Sequence, residues 1–539
     1  MEVLARKECN PRSSFRSFKS VSRTGDLPVS FLEKELLIND LLSASSPALN
    51  ILFATQFHTT INPAMLDQAF RESVQECEVF LSRYKQVQGK FIRNLVYTPS
   101  SLRHFSTNEL SIDEFLHAAR NYQFDLANEQ PVQALLYQHS PTESTLVILM
   151  SHLVGDAITM NGFLNSLAAR FHAMSRQELT DPGCFWADLR HTYTYIDWTA
   201  WSTTQEHVSA EALVFWKTYL DHPPLQTGLN QSRRPRSYTG GFESWTLPRD
   251  LSKSLLHACT DLFVSPHQLM LTAVALATQA LRPSQDIVMM APYSLRTKPL
   301  TEDLAGCLLD RVPIRVKWDR TQSLLELLRA VQQSSQAAIA HAVPYPSLCK
   351  GLHLSPTLTE LLAEIMVTFQ PPATNKAGCS FGQPFSLHEP ITVVFEHDDA
   401  ILSGQDGEAL LSAFQLVLQI IGDNQTAHEM VETVCREVRT PEKRLNGLLE
   451  DQVSESCSEG SNNEFHEEIV RKVFATCLGV TVEDVGSHTS FVDEIGGSSA
   501  DAVHLVWLLK EKGVIGVDVR QVLLAKTPAA LGRMVRSIK

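Results

Sequence analysis

A histidine stands just past an apolar run in "LVILMSHLVGDAITM", residues 146–160. His152 comes two positions after the unbroken stretch Leu146–Met150, and Asp156 follows four residues later. An imidazole has an unperturbed pKa near 6.5, so at neutral pH it accepts a proton from an attacking amine or hydroxyl with little tuning. Taken alone, a histidine after a buried strand is most often a hydrogen-bonded structural residue, and an aspartate in this place a helix N-cap. A second stretch, "FVDEIGGSSADAVHLVWLLKEKG", has Gly496-Gly497 in a tight turn, with Ser498 and Ser499 opening a helix. There the plain reading is a serine cap.

The elements that must position these residues are legible around them. A chain of 539 residues predicts about three or four units of roughly 150 residues each. From about Pro28 to about Arg439 helical and strand-like patterns alternate, which predicts a mixed α/β fold. "STLVILM", "DIVMMAP" and "VPIRVKW" read as strands, and "PAMLDQAFRESVQECEVF", "GFLNSLAARFHAM" and "SPHQLMLTAVALATQAL" as helices. Near residue 440 the composition shifts. "EDQVSESCSEGSNNEFHEE" is acidic and polar, too poor in apolar residues to order itself, and reads as a linker. Three amphipathic helical patterns follow in about 75 residues, the last behind Thr527-Pro528, where threonine suits the N-cap and proline the first turn.

The bulk properties exclude several classes. A net charge of −14 argues against nucleic acid or an anionic membrane as the main partner. The 10 cysteines are scattered without a C-x-x-C pair, predicting thiols in a reducing, cytoplasmic setting and no zinc site. No apolar stretch reaches about 18 residues, so no membrane span is expected. The first residues, to about 25, read as a disordered N-terminus without a signal sequence.

Together the two stretches resemble the nonribosomal peptide synthetases. The C-terminal segment is similar to a peptidyl carrier domain: a helix, a long loop through Phe491, Asp493 and Ile495 to the paired glycines, a serine opening the next helix, and a last helix behind Thr-Pro. The resemblance implies that Ser499 carries 4′-phosphopantetheine, attached by a phosphopantetheinyl transferase. Ser498 stands where the family usually has Asp or His. The H-x-x-x-D of His152 and Asp156 resembles the signature of condensation domains, and further landmarks occur in order: "YIDWTAW" with Tyr195, Asp197 and Trp201; "APYSLRT" with Arg296; "GCLLDRVPIRV", with Asp310 in the family's asparagine place and Arg315 retained; and "HAVPYPSL". Ser151 replaces the family's first histidine and Ala157 its glycine, a variant similar to the terminal condensation domains of fungal synthetases. The early motif has decayed to "SFLEKELL".

The resemblance implies a two-lobed, CoA-dependent-acyltransferase-like α/β fold followed by a small four-helix-bundle carrier domain. The expected boundaries are a tail over 1–25, lobes over 26–205 and 206–439, a linker over 440–464 and the carrier over 465–539. It further implies that His152 acts on the nucleophile at the junction of the lobes and that Asp156 is structural, paired with Arg296. Backbone donors beside the motif are expected to meet the developing oxyanion. A linker of about 25 residues leaves no room for an adenylation domain, so a separate ligase or adenylation enzyme must supply the thioester to an alcohol or amine acceptor. This plan resembles the condensation–carrier bidomain proteins of fungal polyketide and mycotoxin pathways, fumonisin among them, in which an ester is formed. "RRPR" (Arg233, Arg234, Arg236) reads first as a solvated loop and second as an attractor for a polycarboxylate. The alternatives are a soluble CoA-dependent acyltransferase, against which the carrier and the lack of a D-F-G-W-G block speak, and a non-catalytic docking module.

Overall fold

The computed structural model describes residues 19–43, 47–176, 193–204, 209–223, 240–296, 301–302, 304–369, 391–398, 401–423, 431–439, 463–491, 499–512, 514–515, 517–534 and 537–538. The first lobe holds strands β1 (Asn50–Phe57), β2 (Ser82–Val87), β3 (Lys90–Leu95), β4 (Arg103–Ser106), β5 (Val132–Ser140) and β6 (Glu143–Ser151). It also holds helices α1 (Phe31–Ser43), α2 (Pro63–Glu76), α3 (Ile112–Arg120), α4 (Ala157–Ser175) and α5 (Tyr195–Ser202). The strands β2 and β3 form a hairpin; the others form one sheet in the order β1-β6-β5-β4, with only β4–β5 parallel.

The position of β6 explains its unbroken apolar run. It is paired on both sides, and successive side chains leave on opposite faces. Leu146, Ile148 and Met150 enter the core under α2 and α4, while Val147 and Leu149 pack with Phe115 and Tyr137 beneath α3. A strand covered on both faces cannot alternate polar and apolar residues. The first of these faces is closed by Phe163 of α4, set edge-on to Phe70 and Phe80.

In the second lobe β7 (Gly240–Thr246) pairs with β10 (Thr392–Asp398), and β8 (Asp286–Ser294) with β9 (Leu309–Lys317), all antiparallel. The helix Pro266–Ala277 starts at a capping box of Ser265 and Gln268 with proline in its first turn, and packs against the helices Leu324–Ala340 and Gly404–Gly422. One segment of this lobe crosses over. Leu304 and Leu308, between β8 and β9, are buried in the core of the first lobe.

The C-terminal unit has helices Asn463–Leu478, Ser499–Glu511, Val519–Ala525 and Pro528–Met534 around its own core. Thr527 caps the last of them, accepting the Ala530 N–H at 3.2 Å. A short strand pair, Val514–Ile515 with Ser537–Ile538, adds to the helical pattern read from sequence. Of the expected linker, 440–462 lies outside the described residues. The expected tail is partly built in: Arg23 donates to both carboxylate oxygens of Asp197 at 2.7 Å and to Glu78 at 2.8 Å. Asp197 is 1% exposed, and a buried carboxylate requires such a partner, which ties the chain down from Val21 onward. Among the described residues no helix is long and apolar enough to cross a membrane.

Candidate active site

The strand β6 ends at Ser151, and the turn that follows is held by its backbone. His152 N–H donates to Leu49 O at 2.8 Å, Leu153 N–H to Ser151 Oγ at 3.3 Å and Val154 N–H to Ser151 O at 3.0 Å. These bonds fix the main chain that carries the imidazole at the strand tip. They also engage the donors expected to stabilise an oxyanion, so the N–H groups of residues 152–154 do not fill that role. Ser151 lines a cavity of about 190 Å³ together with Leu49, Asn50, Asp40 and Leu153. A serine in the place of the family's first histidine contributes less volume to that wall.

Asp156 does two jobs with one carboxylate. Its Oδ1 accepts the Thr159 N–H at 2.9 Å and so caps α4. Its two oxygens receive Arg296 Nη2 at 3.0 and 2.8 Å, and Oδ2 also accepts the Leu308 N–H at 3.2 Å. Both side chains of the pair are almost wholly buried, at 4% and 7% exposure. Arg296 continues to Gly306 O and Thr301 O, and Thr159 Oγ1 both donates to Gly306 O and accepts the Gly306 N–H. The structure thus brings together His152, Asp156 and Arg296. It adds Thr159, which the sequence reading did not single out, and shows the partners of residues 306–308, which open the block "GCLLDRVPIRV".

Gly306 is required by space. A Cβ there would lie 2.1 Å from the ring of Tyr195. Tyr195 in turn donates its hydroxyl proton to Cys307 O at 3.2 Å, and the Cys307 thiol sits 4.0 Å from His152 Nδ1. His152 is partly exposed, so it remains reachable. Burial pushes its pKa below the ordinary 6.5, against the opposing pull of Asp156. The ring is therefore neutral at pH 7 and able to accept a proton.

Other landmarks have packing roles. Arg315 is held by Asp286 at 2.6 Å and by the carbonyls of Tyr219, Asp221 and His222. His341 stacks on Phe215 at 3.9 Å, and its carbonyl accepts Trp216 Nε1–H. Arg233, Arg234 and Arg236 lie outside the described residues, as do Gly496, Gly497 and Ser498. Ser499 is the first residue of its helix.

A sequence profile for the condensation domain matches residues 23–386. This chain belongs to the condensation-domain family. A second profile, for the phosphopantetheine attachment site, matches residues 468–535. Over 95% of its length the chain is 31% identical to nonribosomal peptide synthetase 5 of Aspergillus fumigatus, covering 24% of that protein. It is 26% identical to the synthetase sirP of Leptosphaeria maculans, over 90% of this chain and 23% of the relative. The chain thus spans about a quarter of the length of these relatives. Among solved structures, the first condensation domain of the calcium-dependent antibiotic synthetase covers 76% of the chain, and 99% of itself, at 17% identity with a TM-score of 0.62. The starter condensation domain of rhizomide synthetase gives 0.63 at 15% identity, over 76% of this chain and 97% of that one. These likenesses establish the condensation fold.

The carrier domain has 4′-phosphopantetheine as its prosthetic group. The helix opening at Ser499 suits a phosphodiester: its first N–H groups lack intrahelical partners and its dipole favours an anion, while Asp501 in the same turn works against this.

Asp310, in the family's asparagine place, gives a measurable departure. It is 6% exposed, and burial raises its pKa to about 7 against the backbone donors of Arg311 and Tyr345. In the unfolded chain it titrates near 3.8. The folded state holds the proton more tightly, so this group costs nothing below about pH 4, and its cost grows until pH 7. Three decades of pH at about 1.4 kcal/mol each give roughly 4 kcal/mol. An asparagine has no charge to bury but loses one acceptor, worth about 1 kcal/mol. Asp310→Asn is therefore expected to melt slightly below the wild type at pH 4 and above it at pH 8. Parallel melting curves at both pH values would contradict the assignment.

Proposed function

We propose that the chain is an acyltransferase of secondary metabolism, moving a carrier-held acyl group onto a small-molecule hydroxyl, or an amine, with ester formation as the favoured outcome. The observation that carries this reading is His152 at a strand tip, on a turn held by Leu49 and Ser151 and braced by the Asp156–Arg296 pair, in a chain that also bears a carrier domain. When bound to Ser499, the phosphopantetheine arm presents the acyl group as a thioester. His152 accepts the proton of the attacking hydroxyl as the new carbon–oxygen bond forms, and returns it to the departing sulfur. The imidazolium formed in between is a positive charge beside the reacting carbon, and the N–H groups of residues 152–154 are engaged in the turn. Asp156 and Arg296 keep the loop in register and touch no reacting atom. The stretch between the two matched regions contains β10 and the helices Gly404–Gly422 and Val431–Arg439, which complete the second lobe. A separate acyl-activating enzyme then loads Ser499 or delivers a thioester in trans, and a phosphopantetheinyl transferase installs the arm.

The first test is intact mass after incubation with CoA and a promiscuous phosphopantetheinyl transferase. The wild type is expected to gain one arm and Ser499→Ala none. Loading with acyl-CoA in place of CoA then gives an acylated carrier, whose loss of the acyl group to added small alcohols reads transfer. A protein that takes no arm but acylates alcohols from free CoA thioesters would be a soluble CoA-dependent acyltransferase instead. An arm without any transfer would make it a docking module.

A further inference from the structure

We propose that Cys307 is a positioning residue for His152: its side chain, delivered from the second lobe, holds the imidazole ring in its working orientation. The inference rests on the reading of His152 as the base, and extends it to a residue that the condensation signature does not contain.

The geometry supports it at three consecutive positions. Gly306 is bound on both its N–H and its carbonyl by Thr159 Oγ1, and the carbonyl also by Arg296. Leu308 N–H is bound by Asp156. Between them the Cys307 carbonyl is held by the Tyr195 hydroxyl. A residue pinned at its own carbonyl and at both neighbours has little freedom to move its Cβ. Its Sγ then stands 4.0 Å from His152 Nδ1. The second torsion of a histidine is broad and roughly two-fold, so a ring at a turn needs something against it to stay in one orientation. Backbone hydrogen bonds to Gly155 and to His152 itself hold the ring from its own loop. The thiol supplies the contact from the other lobe.

The thiol is not a nucleophile. Cys307 is 1% exposed, and burial, reinforced by Asp156, drives its pKa well above the ordinary 9. It stays protonated, and a neutral thiol donates to or accepts from Nδ1 according to the tautomer. The charged groups around the pair are Asp156, which acts on both, and Arg296, Glu33 and Asp310, which act on the thiol. With Nδ1 against the thiol, Nε2 is the nitrogen left to serve the acceptor.

The experiment compares the full-length wild type with Cys307→Ala and Cys307→Ser. Two quantities are read: single-turnover transfer from the loaded carrier as a function of pH, and the titration of His152 by NMR in protein labelled at histidine Cε1, with His152→Gln to assign the signal. Alanine leaves space beside the ring, which admits water and relaxes the burial that depresses the imidazole. Transfer should fall about tenfold or more. The His152 titration and the acidic limb of the pH–rate profile should both move up toward 6.5. Serine keeps a small donor and acceptor in place, and should recover most of the lost rate and restore the lower titration. Equal titrations and rates in Cys307→Ala and wild type, with matched melting, would overturn the proposal. So would a serine variant that behaves like alanine. If the wild type transfers nothing, the proposed function fails on its own, and the titrations still decide whether Cys307 holds the ring.

Discussion

Replacing His152 by alanine is expected to lower transfer by about a hundred- to ten-thousandfold, the range that removal of a positioned general base produces. The fold should survive. The side chain is partly exposed, and the turn around it is held by main-chain bonds to Leu49 and Ser151 that alanine keeps. Ser499 lies on a different domain, so the variant should accept the arm at the wild-type rate. The measurement is single-turnover loss of acyl group from the loaded carrier to an alcohol, beside a melting curve. A loaded His152→Ala protein that transfers at near wild-type rate would mean that holding the two substrates together supplies the rate, and that the imidazole does not act as base.

Asp156→Ala should fail in the opposite way. The carboxylate neutralises Arg296 in a nearly dry seam, and breaking one side of such a pair costs about 3–5 kcal/mol. The lost cap on α4 adds about 1 kcal/mol. The variant should melt well below wild type, and lose transfer in the fraction that remains folded because the 306–308 segment is released. Asp156→Asn keeps one acceptor but not the charge, and should fall between the two. The decisive comparison is with His152→Ala. An Asp156→Ala protein that melts like wild type and yet transfers nothing would place the carboxylate among the reacting groups.

These contrasts show which parts of the site the chain reveals locally. The His152 turn is written in six residues, because an apolar run too continuous for an exposed strand must stop where the polar residues begin. The Asp156 cap is likewise a short-range feature. The Asp156–Arg296 contact spans 140 positions, and nothing in the periodicity of either segment specifies it; it was reached through the family resemblance alone. Thr159 is invisible for the same reason, and Gly306, though it opens the block "GCLLDRVPIRV", shows no partner there. A threonine in a first helical turn and a glycine in a loop are ordinary until their partners are known. Cys307 was visible inside "GCLLDRVPIRV", with no local sign that its thiol meets an imidazole.

The early stretch "SFLEKELL" shows another limit. Judged by motif it has decayed, yet its residues are engaged. Glu33 is fully buried against Arg93 and accepts the Tyr84 hydroxyl, and Glu35 pairs with Arg311 across the lobes. Arg93 also lies over the rings of Tyr84 and Tyr195. A comparison of motif letters cannot register such pairings.

Helix α1 has two consecutive residues with different loyalties. Leu37 is buried in the first lobe, whereas Ile38 is buried in the core of the carrier domain, with Leu42 and Phe91 beside it. Nearby, the tip of the β2–β3 hairpin comes so close to the helix opening at Ser499 that a Cβ on Gly89 would lie 3.0 Å from the His504 backbone. This seating bears on how readily outside partners bind. An enzyme that reaches the carrier from outside competes with this seat on its own chain, and its apparent dissociation constant is the intrinsic one divided by the fraction of time the carrier spends detached. The apolar flank of α1 thereby weights the carrier's occupancy between its own chain and an outside partner.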